Sequence, residues 1–130
     1  MTYKFLVAAF LIYSIGVGYY ISTRPKGKWR SPFSYHPLLM TIGFVGMMGV
    51  SAVTKKLGGY TNTKLHGIIA TIGFACSLGG LYAIYHNKNL MQRPHFTSLH
   101  GKIGIGLMIS TFGPLLAGAL FLVSHVSLLF

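Results

Sequence analysis

The chain has 130 residues, of which 52% are hydrophobic and only 8% charged, whereas a soluble domain carries roughly a quarter charged residues. Eleven lysines and arginines and six histidines stand against no aspartate or glutamate at all. Apart from the C-terminus there is thus no carboxylate for paired-acid glycoside hydrolysis, a Ser-His-Asp triad, a Mg²⁺ or Ca²⁺ cage, or an acidic proton relay within a membrane.

The first apolar run extends from Phe5 to Ile21, between Lys4 and Arg24-Pro25-Lys26-Gly27-Lys28, and predicts a spanning helix over 4–22. Its charged start resembles a signal peptide, but no small-residue cleavage site follows, so a retained helix is expected. The second run, from about Phe33 to Val53, predicts a helix over 33–54, with Ser31 as N-cap and Pro32 at the first helical position. Lys55-Lys56-Leu57-Gly58-Gly59 is expected to end it and to open a loop through Thr63. The third run, Leu65 to Tyr85, predicts a helix over 64–86, closed by His86-Asn87-Lys88-Asn89. The fourth follows Arg93-Pro94 and predicts a helix over 96–124, with a kink at Pro114. The expectation is one membrane domain over 1–130, an all-α four-helix transmembrane bundle.

The basic residues fall in the short connectors between these runs. That placement suits helix ends anchored against anionic lipid headgroups, not a nucleic-acid surface. Cys76 is alone and forms no disulfide or zinc motif. Gly43, Gly46 and Gly49 recur every three residues, as do Gly101 and Gly104. Small residues at this spacing let helices, or a flat cofactor, approach closely, and helix packing alone is enough to explain them.

Short connectors make consecutive helices antiparallel. His36, His86, His95 and His100 then share one membrane side, and His66 and His125 the other. His36 lies four residues past Pro32 and His100 six past Pro94, roughly 6 and 9 Å inside their helices at 1.5 Å per residue. Two imidazoles at similar depth on parallel helices suit the axial positions of a porphyrin iron. Structural hydrogen bonding and another metal remain open on spacing alone. Zinc is disfavoured, because two histidines without cysteine or carboxylate fall short of its usual ligands.

Phe33-Ser34-Tyr35-His36-Pro37-Leu38-Leu39-Met40 resembles the F-x-x-H-P-x-L-M segment of the cytochrome b561 family. Lys64-Leu65-His66, Tyr85-His86-Asn87-Lys88 and Ser98-Leu99-His100 are similar to three further segments of that family, in the same order. The resemblance implies a bundle with two b hemes, each held by two histidines, that moves electrons from ascorbate across the membrane. It makes His36 and His100 one axial pair and His66 a ligand of the second heme. The usual partner of His66 lies on a helix beyond the match to His100. Either the second heme is absent, or the native chain continues, or His125 or another subunit supplies the ligand. His125 lies about 37 Å along a straight helix from His100, which is shallow for that task.

The resemblance also associates His86 with a substrate site, near Lys88, Arg93 and His95 in sequence. Their positive character suits ascorbate, heme propionates or phospholipids alike, and Lys102 or Arg93 would neutralise propionates. The family's S-L-H-S-W continues here as Ser98-Leu99-His100-Gly101-Lys102, without the aromatic residue. The leading expectation is a b-type electron carrier with one heme b on His36 and His100, served by a small reductant such as ascorbate or by a redox partner protein. If it is an enzyme, it is an ascorbate-dependent transmembrane reductase. The alternative is an accessory subunit in a homodimer or larger membrane complex, with a structural or absent heme. Four cations (Lys4, Lys55, Lys56, Lys64) face seven (Arg24, Lys26, Lys28, Arg30, Lys88, Arg93, Lys102). The positive-inside rule puts the His36/His100 side in the cytosol; the resemblance implies the opposite.

Overall fold

The computed structural model describes residues 2–127, with side chains through residue 124, so the expectation for the His125 ring lies outside the described residues. Four helices follow one another: α1 (Thr2–Ser22), α2 (Tyr35–Lys55), α3 (Gly59–Leu90) and α4 (Leu99–Ser127). Each is long and apolar enough to cross a membrane. Lipid offers no partner for a backbone N–H or C=O, and a helix satisfies both within itself. Side-chain hydroxyls follow the same logic. Thr54 donates to Val50 O, Thr71 to Gly67 O and Ser77 to Gly73 O, each one turn back. No buried side-chain nitrogen or oxygen among the described residues lacks a partner.

The helix ends depart from the sequence expectation at the start of α2, at both ends of α3, and at both ends of α4, which runs over Leu99–Ser127 rather than 96–124. α2 begins at Tyr35, after turns at 31–34, and not at Pro32. Ser34, not Ser31, organises this entry: its Oγ accepts from Arg30 N at 2.8 Å and donates to Ser22 O at 2.6 Å. The Ser22 partner lies twelve residues upstream, beyond the reach of a local capping rule. α3 begins at Gly59 rather than beyond a loop to Thr63. Gly58 and Gly59, with φ of +74° and +79°, make a turn that L side chains rarely adopt. Asn62 Nδ2 then donates to Gly58 O and Thr63 Oγ1 to Gly59 O, holding the first turn.

At its other end α3 continues through His86-Asn87-Lys88-Asn89 to Leu90. It closes where Gln92, at φ 54°, lets Arg93 N donate to Lys88 O at 2.9 Å. Its 32 residues span about 48 Å against a hydrocarbon core of about 30 Å, so the ends of α3 reach the headgroup layers. α4 runs unbroken through Pro114. Within α2, Thr41–Met47 is wound as a π-helix. This begins where Thr41 Oγ1 takes the Pro37 carbonyl at 2.6 Å and competes with the helical ladder.

Glycines set which helices touch. A Cβ on Gly43 would lie 2.6 Å from Gly73 O, and one on Gly73 2.8 Å from Met47 Cβ, so α2 and α3 meet backbone to backbone. Gly46 gives the same close approach toward Ser14 of α1. α2 thus packs between α1 and α3, while α4 packs on α3 alone. Phe74 of α3 stacks near Phe112 of α4, with ring centres 5.9 Å apart, and Met108 is buried beside this contact level. Because α4 does not pack on α2, a gap remains between them, open above and below that level.

Candidate functional site

The gap holds two cavities, one toward each membrane face. The first, about 580 Å³, takes its walls from the early turns of α2 and α4 and the late turns of α3. Its lining is mainly apolar, including Met40, Phe44, Leu81, Ile84 and Ile105, with Gly101 and Gly104 on the α4 wall. His36 and His100 face each other across it, with ring centres 6.1 Å apart and ring planes at 87°. His36 is half-buried and His100 exposed.

His36 is held from behind. Its Nδ1 lies 3.0 Å from Gly80 O, and a carbonyl only accepts, so Nδ1 carries the proton and Nε2 is the free nitrogen. A metal–imidazole bond is about 2 Å and the ring centre lies roughly 1 Å beyond its nitrogen, so two imidazoles on opposite sides of one iron have centres about 6 Å apart. The observed spacing and the apolar walls fit a porphyrin. Among the described residues no group of three or more His, Cys, Asp or Glu converges.

Of the other residues singled out in the sequence, Lys88 and His95 line the same cavity. Lys88 Nζ donates to Pro94 O at 3.1 Å, His95 stacks on Tyr85 at 4.0 Å, and His95 Nε2 donates to Asn89 Oδ1 at 2.7 Å. Phe96, held at φ 52°, completes this rim. His86 stacks on Tyr82 and is exposed, outside the cavity lining. Arg93 and Lys102 are exposed and do not line it either.

The second cavity, about 730 Å³, contains His66 on its α3 wall. Its α4 wall is built from Ser110, Thr111, Pro114, Leu115, Gly118 and neighbours, with no second imidazole among the described residues. His66 is locked by Ser51, which is 2% exposed. His66 Nδ1 donates to Ser51 O at 3.0 Å and to Ser51 Oγ at 2.7 Å, and Ser51 Oγ donates to His66 O at 3.0 Å. Replacing Ser51 with alanine should cost about 1 kcal/mol, read as a lower thermal midpoint in detergent micelles.

Sequence reasoning missed Gly80, Ser51 and Tyr85. The first two act on histidines 44 and 15 residues away, and nothing in their local pattern marks them. Tyr85 stands in the sequence as part of the Tyr85-His86-Asn87-Lys88 segment, and only the fold makes it the ring against which His95 rests.

The chain is 36% identical over 84 residues to the transmembrane ascorbate ferrireductase 1 of Arabidopsis thaliana, covering 62% of this chain and 35% of that protein. It is 31% identical over 96 residues to the transmembrane ascorbate-dependent reductase CYB561 of Ovis aries, covering 69% and 38%. It is 28% identical over 83 residues to the lysosomal membrane ascorbate-dependent ferrireductase CYB561A3 of Mus musculus, covering 59% and 34%. The chain thus spans about a third of the length of the curated relatives it matches. No solved structure matches. The family model for eukaryotic cytochrome b561 matches residues 35–128, from the first turn of α2 to the end of α4, and this multi-pass membrane chain belongs to the cytochrome b561 family.

Proposed function

We propose that the chain is a transmembrane electron-transfer protein carrying one heme b between His36 and His100, reduced from that membrane side by ascorbate. The observation that carries this reading is the pair of imidazoles 6.1 Å apart across an apolar cavity. When bound, the heme supplies one-electron Fe(III)/Fe(II) cycling.

The chain's residues supply the rest. His36 and His100 would hold the heme iron between them, and two histidine ligands would suit electron transfer rather than oxygen binding. Phe44, Leu81, Ile84 and Ile105 line the cavity and would exclude water from a group held there. At the rim, Lys88 offers an ammonium to an ascorbate anion. His95 directs its Nε2–H at Asn89 Oδ1 as a hydrogen-bond donor, which leaves Nδ1 as the nitrogen to accept the proton that ascorbate releases on oxidation. His86 lies outside the cavity lining, which shifts the proposed reductant contacts from the His86/Lys88 pair toward Lys88 and His95. His66 is assigned a structural hydrogen-bonding role on its bonds to Ser51.

Heme-replete protein should develop a b-type α-band on addition of ascorbate; no band under ascorbate or dithionite overturns the proposal. The double substitution Lys88→Ala/His95→Ala should slow ascorbate reduction about tenfold at subsaturating ascorbate, the scale of one charged hydrogen bond. Dithionite reduction should be unchanged. An unaltered ascorbate rate would remove the reductant site from this rim.

A second reading, a subunit within a homodimer or larger membrane complex, is favoured by one observation. α4 packs on α3 alone and leaves Leu99, Ile103, Ile109, Leu120 and Phe121 more than 60% exposed. Native mass in lipid nanodiscs distinguishes a monomer in lipid from such an assembly.

A further inference from the structure

We propose that Gly80 is a positioning residue for the His36 imidazole, and that its backbone carbonyl sets both the orientation and the electron-donating strength of that ring. The inference rests on the heme reading above and deepens it. Gly80 is on α3, 44 residues from His36, and reaches it only because the two helices run in close contact there.

Two independent features of Gly80 converge on His36. The first is the hydrogen bond from His36 Nδ1–H to Gly80 O at 3.0 Å. It selects the tautomer with Nε2 free, and it fixes the ring about its long axis. The ring plane then stands at 87° to that of His100. The second is the missing side chain. A Cβ on Gly80 would lie 3.1 Å from Met40 Cγ, 3.2 Å from His36 O and 3.3 Å from Met40 N. Two of those three atoms are α2 backbone, so an alanine moves the whole turn that carries His36 rather than one flexible tip. Glycine is therefore what allows α2 to sit within hydrogen-bond reach of the α3 carbonyl. Gly79, next in the chain, differs: a Cβ there meets only Leu39 Cδ1, at 3.3 Å.

The chemical consequence follows from the donor atom. An imidazole whose Nδ1–H points at a carbonyl is a more basic ligand through Nε2 and favours the more highly charged ferric iron. A weaker bond to Gly80 O thus favours the ferrous form and raises the midpoint potential. It also frees the ring to turn, which changes the angle between the two imidazole planes and with it the anisotropy of the low-spin ferric signal. His66 Nδ1 is likewise bonded to a carbonyl on a neighbouring helix, that of Ser51, though His66 is given no heme here.

The hydrogen bond is read first in heme-free protein, from the ¹⁵N spectrum of labelled histidine, with the His36 resonances identified by their loss in His36→Gln. Nδ1 protonated and Nε2 bare supports the proposal; a neutral His36 protonated on Nε2 overturns it whether or not heme binds. In the heme-loaded protein, Gly80→Ala should raise the midpoint potential and shift the largest g-value of the ferric signal. Heme transfer to apomyoglobin should be about tenfold faster, the lower end of the usual cost of removing a ligand's outer partner. Gly79→Ala should leave all three readings as they are. Heme-loaded Gly80→Ala with unaltered potential, g-value and transfer rate overturns the proposal. If Gly80→Ala does not fold, the ¹⁵N spectrum of the unaltered chain decides alone. Absence of heme from the unaltered protein would instead strike at the heme reading.

Discussion

Replacing His36 or His100 with alanine is expected to abolish the low-spin b-type spectrum, leaving at most a weakly held five-coordinate species. In the proposed site each ring would supply one of two nitrogens to the iron, and no third His, Cys, Asp or Glu converges with them among the described residues. Met40 and His95 also line the cavity, but His95 is committed to Tyr85 and Asn89 at the rim. A glycine in place of His100 leaves a hole of imidazole size opposite His36. Added imidazole should therefore restore the α-band in His100→Gly and leave a distal variant such as His66→Gln, in which both rings are intact, unaffected. A low-spin heme that persists in both alanine variants without added imidazole would refute the assignment of these two residues.

Gly43→Ala should destabilise the bundle more than any other single added methyl group. Overfilling a closely packed contact costs about 1–3 kcal/mol. The new Cβ would meet Gly73 O at 2.6 Å, as well as Ser77 Oγ, so neither a rotamer change nor a flexible tip can make room. α2 would have to move from α3, and the wall that carries His36 would move with it. Gly16→Ala and Gly113→Ala are the matched controls, since a Cβ at either meets nothing within 4 Å. They should change stability by less than about 0.5 kcal/mol, with helix propensity in their favour. Equilibrium unfolding in mixed micelles measures all three. Equal behaviour of Gly43→Ala and Gly113→Ala would mean that the α2–α3 contact is not the close one described.

The Gly43 and Gly80 predictions use one physical fact at two depths. α2 and α3 approach through glycines, and this brings backbone carbonyls of one helix within reach of side chains on the other. In lipid such contacts replace the hydrophobic driving force that holds soluble helices together. The same glycines thus hold the bundle and place the histidine.

Four spanning helices, their order and the sides on which the histidines fall were all legible in the sequence. Hydropathy and length decide whether a segment can satisfy its backbone in lipid, and both are properties of a contiguous stretch. The absence of acids narrowed the chemistry for an equally local reason: a residue type that is missing cannot be supplied by folding. His36 and His100 each stand second in their helices, which begin at Tyr35 and Leu99, so the two positions match as expected but the depths of about 6 and 9 Å counted from Pro32 and Pro94 do not hold. What the tertiary structure alone decided is which surfaces meet. The Gly43-Gly46-Gly49 pattern announces close approach, but only packing assigns Gly43 to α3 and Gly46 to α1. Only packing leaves α4 on α3 and apart from α2, and so opens the two cavities. The carbonyl behind His36 and the hydroxyl behind His66 come from other helices. Pairings across such distances depend on how whole helices rotate and dock, and no residue's immediate neighbours in the chain record that.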